Sequence, residues 1–240
     1  MLGSGTLPGM SSPTIKPATS RVRNDIDPAT TWVVSDTHFG HDNIVGYCHR
    51  PEEHEQVMIA EWRKEVPDDA TLLHLGDLSY GHAGGDTRFK HLIAPELPGK
   101  RKLIVRGNHD RKGRAFYEKC GFKLAMPFCI DYSGPNGMYT AWPLDMPWRV
   151  SFSHYPWSAA EDGEITSRDW RLHGHIHNNG YSRDAFVPFL KQHINLSVEQ
   201  THYRPVNLKL LLDAVICGVY PATTDAQRDE ARRRRDERKA

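Results

Sequence analysis

The segment Thr31-Trp32-Val33-Val34-Ser35-Asp36-Thr37-His38 is a short apolar run that ends in an acid and an imidazole. A run of this length, rich in β-branched residues, reads as a buried strand. The chain repeats the arrangement. Residues 70–75 form a second apolar run, ending in Gly76-Asp77, and Lys102-Leu103-Ile104-Val105-Arg106 forms a third, followed by Gly107-Asn108-His109-Asp110. Helical patterns separate them: residues 51–66, with Val57, Met58, Trp62 and Val66 roughly on one face, residues 87–94 stopped by Pro95, and residues 114–119. From Phe128 onward strands dominate, at residues 128–132, 138–142, 150–153, 170–172 and 193–198, with a turn at Gly134-Pro135-Asn136-Gly137. Asn207 is placed to cap a last helix running to about residue 215. Alternating strands and helices predict an α/β fold with two sheets, or one mixed sheet, layered with helices.

Composition narrows the function classes. The chain has 240 residues, of which 38% are hydrophobic and 25% charged, so a sizeable core can form. Lys plus Arg (31) nearly equals Asp plus Glu (30), which argues against a surface wholly committed to nucleic acid or membrane. No apolar run approaches the roughly 18 residues of a transmembrane helix. The first 20 residues are rich in Gly, Ser, Thr and Pro without an apolar signal core, and the four cysteines form no Cys-x-x-Cys pair. Reduced thiols and a cytoplasmic location are expected. Residues 1–29 read as a flexible arm, 30–217 as one domain, and 218–240 as a charged tail carrying Arg232-Arg233-Arg234-Arg235. That tail is either a solvated helix or a weak grip on phosphate backbones.

The 14 histidines are the compositional oddity. Two later runs also end in them: Ser153-His154, and His173-Gly174-His175-Ile176-His177. Five strands thus finish in a carboxylate, an amide or an imidazole, at the end where open α/β sheets bind ligands. Mixed Asp, Asn and His donors suit Mn, Fe or Zn better than Ca or Mg, which prefer oxygen alone. Seven such groups exceed what one tetrahedral zinc needs, but they fit two metals that share a bridging carboxylate.

The ordered set Asp36-x-His38, Gly76-Asp77, Gly107-Asn108-His109-Asp110, His154 and Gly174-His175-x-His177 resembles the calcineurin-like metallophosphoesterase superfamily, in its compact bacterial or phage form. The resemblance implies a layered α/β/β/α sandwich with two central mixed sheets flanked by helices. It also implies roles. Asp36, His38 and His177 would hold one metal, Asp77 would bridge, and Asn108, His154 and His175 would hold the second. His109 would be general acid or phosphate contact, and Asp110 would orient its ring. Two divalent ions, manganese foremost and Fe, Zn or Ni as alternatives, would supply a bridging hydroxide that attacks a phosphate ester in line. His109 would protonate the leaving oxygen, a step worth about 10²–10⁴-fold.

Departures from the family pattern shape the substrate expectation. Protein phosphatases of the superfamily follow Gly-Asp with a Val-Asp-Arg-Gly stretch, and here the chain reads Leu78-Ser79-Tyr80-Gly81. A phosphodiester is therefore favoured over a phosphomonoester, a nucleotide being one candidate. A nuclease using the basic tail is the alternative, with Trp142, Trp148, Tyr155 and Trp157 as a base-stacking wall or as ordinary core. A non-catalytic binding module is the remaining reading, opposed by a full set of ligand residues. Asn108, His109 and His41 are the candidate substrate contacts, although an ordinary loop and helix start explain His41 and Arg50 equally well. His74 and His173 read as structural histidines, and Arg106 as a strand-end residue paired to a carboxylate.

Overall fold

The computed structural model describes residues 21–81, 84–137, 146–156, 168–178 and 192–217. The expected strand at 138–142, Trp142, Trp157, and the tail from residue 218 lie outside these. Among the described residues, ten strands form two five-stranded sheets. In chain order they are β1 (Arg21–Val22), β2 (Thr31–Val34), β3 (Thr71–His74), β4 (Arg101–Val105), β5 (Phe122–Ala125), β6 (Phe128–Tyr132), β7 (Trp148–Phe152), β8 (Asp169–His173), β9 (His193–Asn195) and β10 (Val206–Asn207). The helices are α1 (Ile44–Cys48), α2 (His54–Glu65), α3 (Gly85–Arg88), α4 (Arg114–Lys119) and α5 (Leu208–Cys217).

One sheet has the order β10-β2-β3-β4-β5, parallel except for β10, and the other β1-β6-β7-β8-β9, with β6 and β7 antiparallel. Both are mixed. Parallel neighbours need crossovers, which here run through α1 and α2, α3, and α4 in turn. Register decides where the strands deliver their loops. Val34 pairs with His74 and His74 with Ile104, so β2, β3 and β4 end in one row. In the other sheet, Phe152 pairs with Leu172 and Leu172 with Ile194, so β7 and β8 end together as well.

The apolar runs are explained by burial on both faces. Val33, Leu73 and Leu103 point into the layer between the sheets, where they meet Phe128, Ile130, Val150, Phe152 and Leu172. Val34, Leu72 and Ile104 point the other way, onto Met58, Trp62, Phe89 and Ile93 of the helical layer. Helix α2 and the Val66 that caps it seat Met58, Trp62 and Val66 at i, i+4 spacing, but Val57 falls off that stripe and is 37% exposed. The helix expected at residues 87–94 begins earlier, at Gly85, and widens into a π turn over Phe89–Ile93 before Pro95. Residues 21–29, assigned to the arm by composition, carry β1 paired with β6 and the buried Ile26. No described helix is long and apolar enough to cross a membrane.

Phe152 is fully buried between the sheets and stacks on Phe128 at 5.0 Å. Phe152→Ala is expected to lower the unfolding free energy by about 3–5 kcal/mol in urea titrations. Val57→Ala should change it by no more than about 0.5 kcal/mol.

Candidate metal centre

The loops that leave the strand ends are strained. Of eight described non-glycine residues with a left-handed backbone, five are Asp36, His38, Asp77, His175 and His177, with φ between 50° and 73°. Each such residue costs on the order of 1–3 kcal/mol and persists only where its surroundings dictate it. The surroundings are visible. The first loop lies along the second through Asp36 N–H to the Gly76 carbonyl (3.0 Å) and His38 N–H to the Asp77 carbonyl (3.0 Å). The Asp110 carboxylate ties the second loop to the third, accepting from the amides of Asp77 (2.6 Å), Gly107 (2.8 Å) and Leu78 (3.2 Å). The Asp36 carboxylate reaches across to the other sheet, accepting from His175 N–H (3.0 Å) and the Ser197 hydroxyl (3.1 Å). Gly174 is where the loops touch, since a Cβ there would run into the Asp36 carboxylate. Gly76, at φ 106°, could not carry one either, because it would meet His154 Nδ1 at 2.6 Å.

Two groups of donors result. In the first, His177 Nε2 lies 3.6 Å and His38 Nε2 4.0 Å from Asp36 Oδ1. In the second, Asn108 Oδ1, His154 Nε2 and His175 Nδ1 lie within 3.0–3.2 Å of one another. Asp77 Oδ2 sits between the groups, 3.5 Å from His38 Nε2 and 3.4 Å from His154 Nε2. All seven residues expected as ligands are thus brought together. Both ring nitrogens of His38 are buried without a hydrogen bond, an arrangement that costs free energy unless a cation completes it. The mixed oxygen and nitrogen donors fit divalent transition metals.

The remaining candidates line the same cluster. His109 is pinned by its own amide to Asp77 Oδ1 (2.8 Å), and its ring centre is 5.1 Å from that of His38. The His41 ring lies 5.6 Å from His38 and rests on Tyr80 at 4.0 Å. Tyr155 packs against both His154 and His175 at 4.8 Å, whereas Trp148 belongs to the layer between the sheets.

Comparison with known proteins identifies the family. The sequence profile described as calcineurin-like phosphoesterase matches residues 29–219. The chain belongs to the calcineurin-like phosphoesterase family. It is 31% identical over 193 residues to an uncharacterized protein of Methanocaldococcus jannaschii, covering 78% of this chain and 92% of that one. It is 28% identical over 169 residues to the gene 66 protein of Mycobacterium phage L5, covering 62% and 78%. Among solved structures, a protein of unknown function from Aquifex aeolicus is similar with a TM-score of 0.52 at 28% identity, covering 73% of this chain and 94% of that one.

Within this calcineurin-like phosphoesterase, three features of the site differ from the sequence expectation. Asp110 spends its carboxylate on three backbone amides rather than on the His109 ring. Arg106 donates to the Lys112 carbonyl (2.7 Å) rather than to a carboxylate. Arg50 is buried and faces inward, and it pairs with Glu199, a residue that carried no local signal. His74 and His173 are buried and hydrogen-bonded in the interior, as structural histidines are.

The electrostatics of the calcineurin-like site divide the imidazoles. Burial holds His38 well below its ordinary pKa, and burial together with the neighbouring His154 lowers His175. Burial also opposes charge on His154, but Asp77 and Asp36 outweigh it and push His154 up to about 9. His177 is likewise disfavoured by burial, yet Cys48, Glu199 and Asp36 push it up to about 10. Burial would raise the Asp77 pKa, but the bond to His154 and the nearby His38 hold it below the usual carboxylate range.

Below about pH 9 the metal-free protein therefore carries protons on His154 and His177, and coordination must displace them. Mn²⁺ binding at pH 7.5 is expected to release about two protons, and affinity should climb as pH rises toward 9. Calorimetry in buffers of differing ionisation enthalpy measures the number, and binding with no proton release would show that these imidazoles are already neutral in the metal-free protein.

Proposed function

We propose that this chain hydrolyses a phosphodiester with the help of two divalent cations, manganese foremost, held at the strand ends. The observation that carries the reading is the convergence of seven donors from five loops, with Asp77 lying between a His38 side and a His154 side. In this reading Asp36, His38 and His177 hold one cation, Asn108, His154 and His175 the other, and Asp77 bridges. Bound there, the cations supply Lewis acidity and a nucleophilic water near neutral pH.

The rest falls to the chain's own side chains. Asn108, His109 and His41 would contact the substrate, and the bond from the His109 amide to Asp77 holds that residue's backbone at the cluster. His109 gives its ring proton to the departing oxygen. Where protein phosphatases place a phosphate-holding arginine, this chain has Tyr80, and Arg50 is already occupied by Glu199. A diester carries less charge to neutralise than a monoester, so the diester reading agrees with that lack. Four cysteines without a disulfide agree with a reducing, cytoplasmic compartment. The nuclease alternative draws on Arg232-Arg233-Arg234-Arg235; it expects residues 226–240 to be needed for nucleic-acid affinity that falls steeply with salt.

The test compares bis-p-nitrophenyl phosphate with p-nitrophenyl phosphate on metal-stripped protein reloaded with Mn²⁺. Diester turnover that requires metal and collapses in Asp77→Ala is expected. His109→Ala should lower kcat by about 10²–10⁴-fold while retaining metal. A preference for the monoester would move the substrate to small phosphorylated metabolites. Metal-dependent turnover that survives Asp77→Ala unchanged would falsify the two-cation reading.

A further inference from the structure

We infer that Arg50 and Glu199 are positioning residues that lock one of the two cation groups, an inference that rests on the metal reading proposed above. Both side chains are nearly sealed from solvent, Arg50 at 0% and Glu199 at 4% exposure. Glu199 Oε1 accepts from Arg50 Nε (2.7 Å) and lies 2.6 Å from the adjacent guanidinium nitrogen. The same guanidinium donates to the backbone carbonyls of Thr37 (2.9 Å) and Asp36 (2.7 Å), the turn whose flanking residues are both left-handed. Glu199 Oε1 also faces His177 Nδ1 at 3.0 Å, while His177 Nε2 points at Asp36.

These contacts close a ring: Asp36 carbonyl, Arg50, Glu199, His177, and back to the Asp36 carboxylate. Two consequences follow. A carboxylate on Nδ1 keeps the proton there and leaves the Nε2 lone pair free for a cation. The guanidinium fixes the loop that carries Asp36 and His38 relative to the loop that carries His177. The second group has a different support, since His154 Nδ1 donates to the Leu75 carbonyl (2.9 Å). Stability alone is a weak reason for the pair, because a buried ion pair rarely outperforms apolar packing of the same volume. Its aim at one ligand histidine and one strained turn is what distinguishes it.

Cys48 gives the competing reading. It is buried beside the half-buried His177 and Glu199, and ligand atoms of the three lie within 4.8 Å of one another, so they offer a cation an alternative seat.

The experiment titrates the metal-stripped, full-length protein with Mn²⁺, following free ion by electron paramagnetic resonance. Wild type is expected to bind two ions. Glu199→Gln should weaken one of them by about 10–100-fold and leave the other within a few-fold. Because that change leaves Arg50 unpaired, the charge-neutral Arg50→Gln/Glu199→Gln variant is measured beside it, with the same result expected. In a His177→Ala background, Glu199→Gln should cause less further loss than in the wild type, since part of its effect acts through that ring. The visible spectrum of the Co²⁺-loaded protein should shift in Glu199→Gln and recover in part in Glu199→Asp.

Equal weakening of both sites, or additive loss with His177→Ala, would mean a general structural role and overturn the inference. So would unchanged affinities, or a thiolate-to-cobalt charge-transfer band that disappears in Cys48→Ser. A wild-type chain that binds no Mn²⁺ overturns the metal reading and this inference with it, whereas two intact sites in every variant overturn the inference alone.

Discussion

The Asp36 carboxylate is the point at which the two sheets are joined. It leaves the end of β2 in one sheet and accepts the His175 amide and the Ser197 hydroxyl from the other. The backbone reinforces the join beside it, where Ser35 N–H bonds the Leu196 carbonyl (3.0 Å) and Val198 N–H bonds the Ser35 carbonyl (3.2 Å). Because strands of both sheets end at this seam, the loops of five strands share one small volume. The donor cluster follows from that geometry. A separation of the sheets by even a side chain's width would leave the His177 ring out of reach of Asp36.

Such crowding has a free-energy cost. Five left-handed residues together carry a strain comparable with the whole net stability of a domain, about 5–15 kcal/mol. Asp36, Asp77 and Asp110 are buried carboxylates in the same place, each opposed by desolvation. The structure offsets this with bonds to charged acceptors, which are stronger than neutral ones: three amides on Asp110, two donors on Asp36, one amide on Asp77. The two apolar layers supply the remaining stability. Val33 and Leu73 face one layer and Val34 and Leu72 the other, so β2 and β3 are anchored on both faces just before their strained turns. Rigidity on both sides is what allows the turn to hold a conformation it would not choose alone.

Legibility from sequence tracked the range of the interactions. Strands β2, β3 and β4 were readable because long apolar runs report burial locally. Strands β1, β5 and β10 were not, since two to four residues of mixed polarity carry no period and owe their existence to a neighbour's free edge. The seven donors were readable from their chemistry and their place after strands. Glu199 was not, because nothing near it hints at a partner 149 residues away, and Arg50 looked like an ordinary loop residue. Asp110 shows the same limit: its adjacency to His109 suggested one partner, and the fold supplied three amides instead.

By itself, then, the sequence determined the α/β class, the helical and apolar layers, and the kinds of atoms available for binding. These depend on side-chain periodicity and donor chemistry, which are properties of short segments. Tertiary structure alone decided which nitrogen of each imidazole faces the cluster, that Asp77 stands between two groups, and that Arg50 and Glu199 brace one of them. Those are distances between segments remote in the chain, set by sheet register and by the packing of one sheet on the other. No local pattern encodes them, because each depends on every contact that fixes the two sheets together.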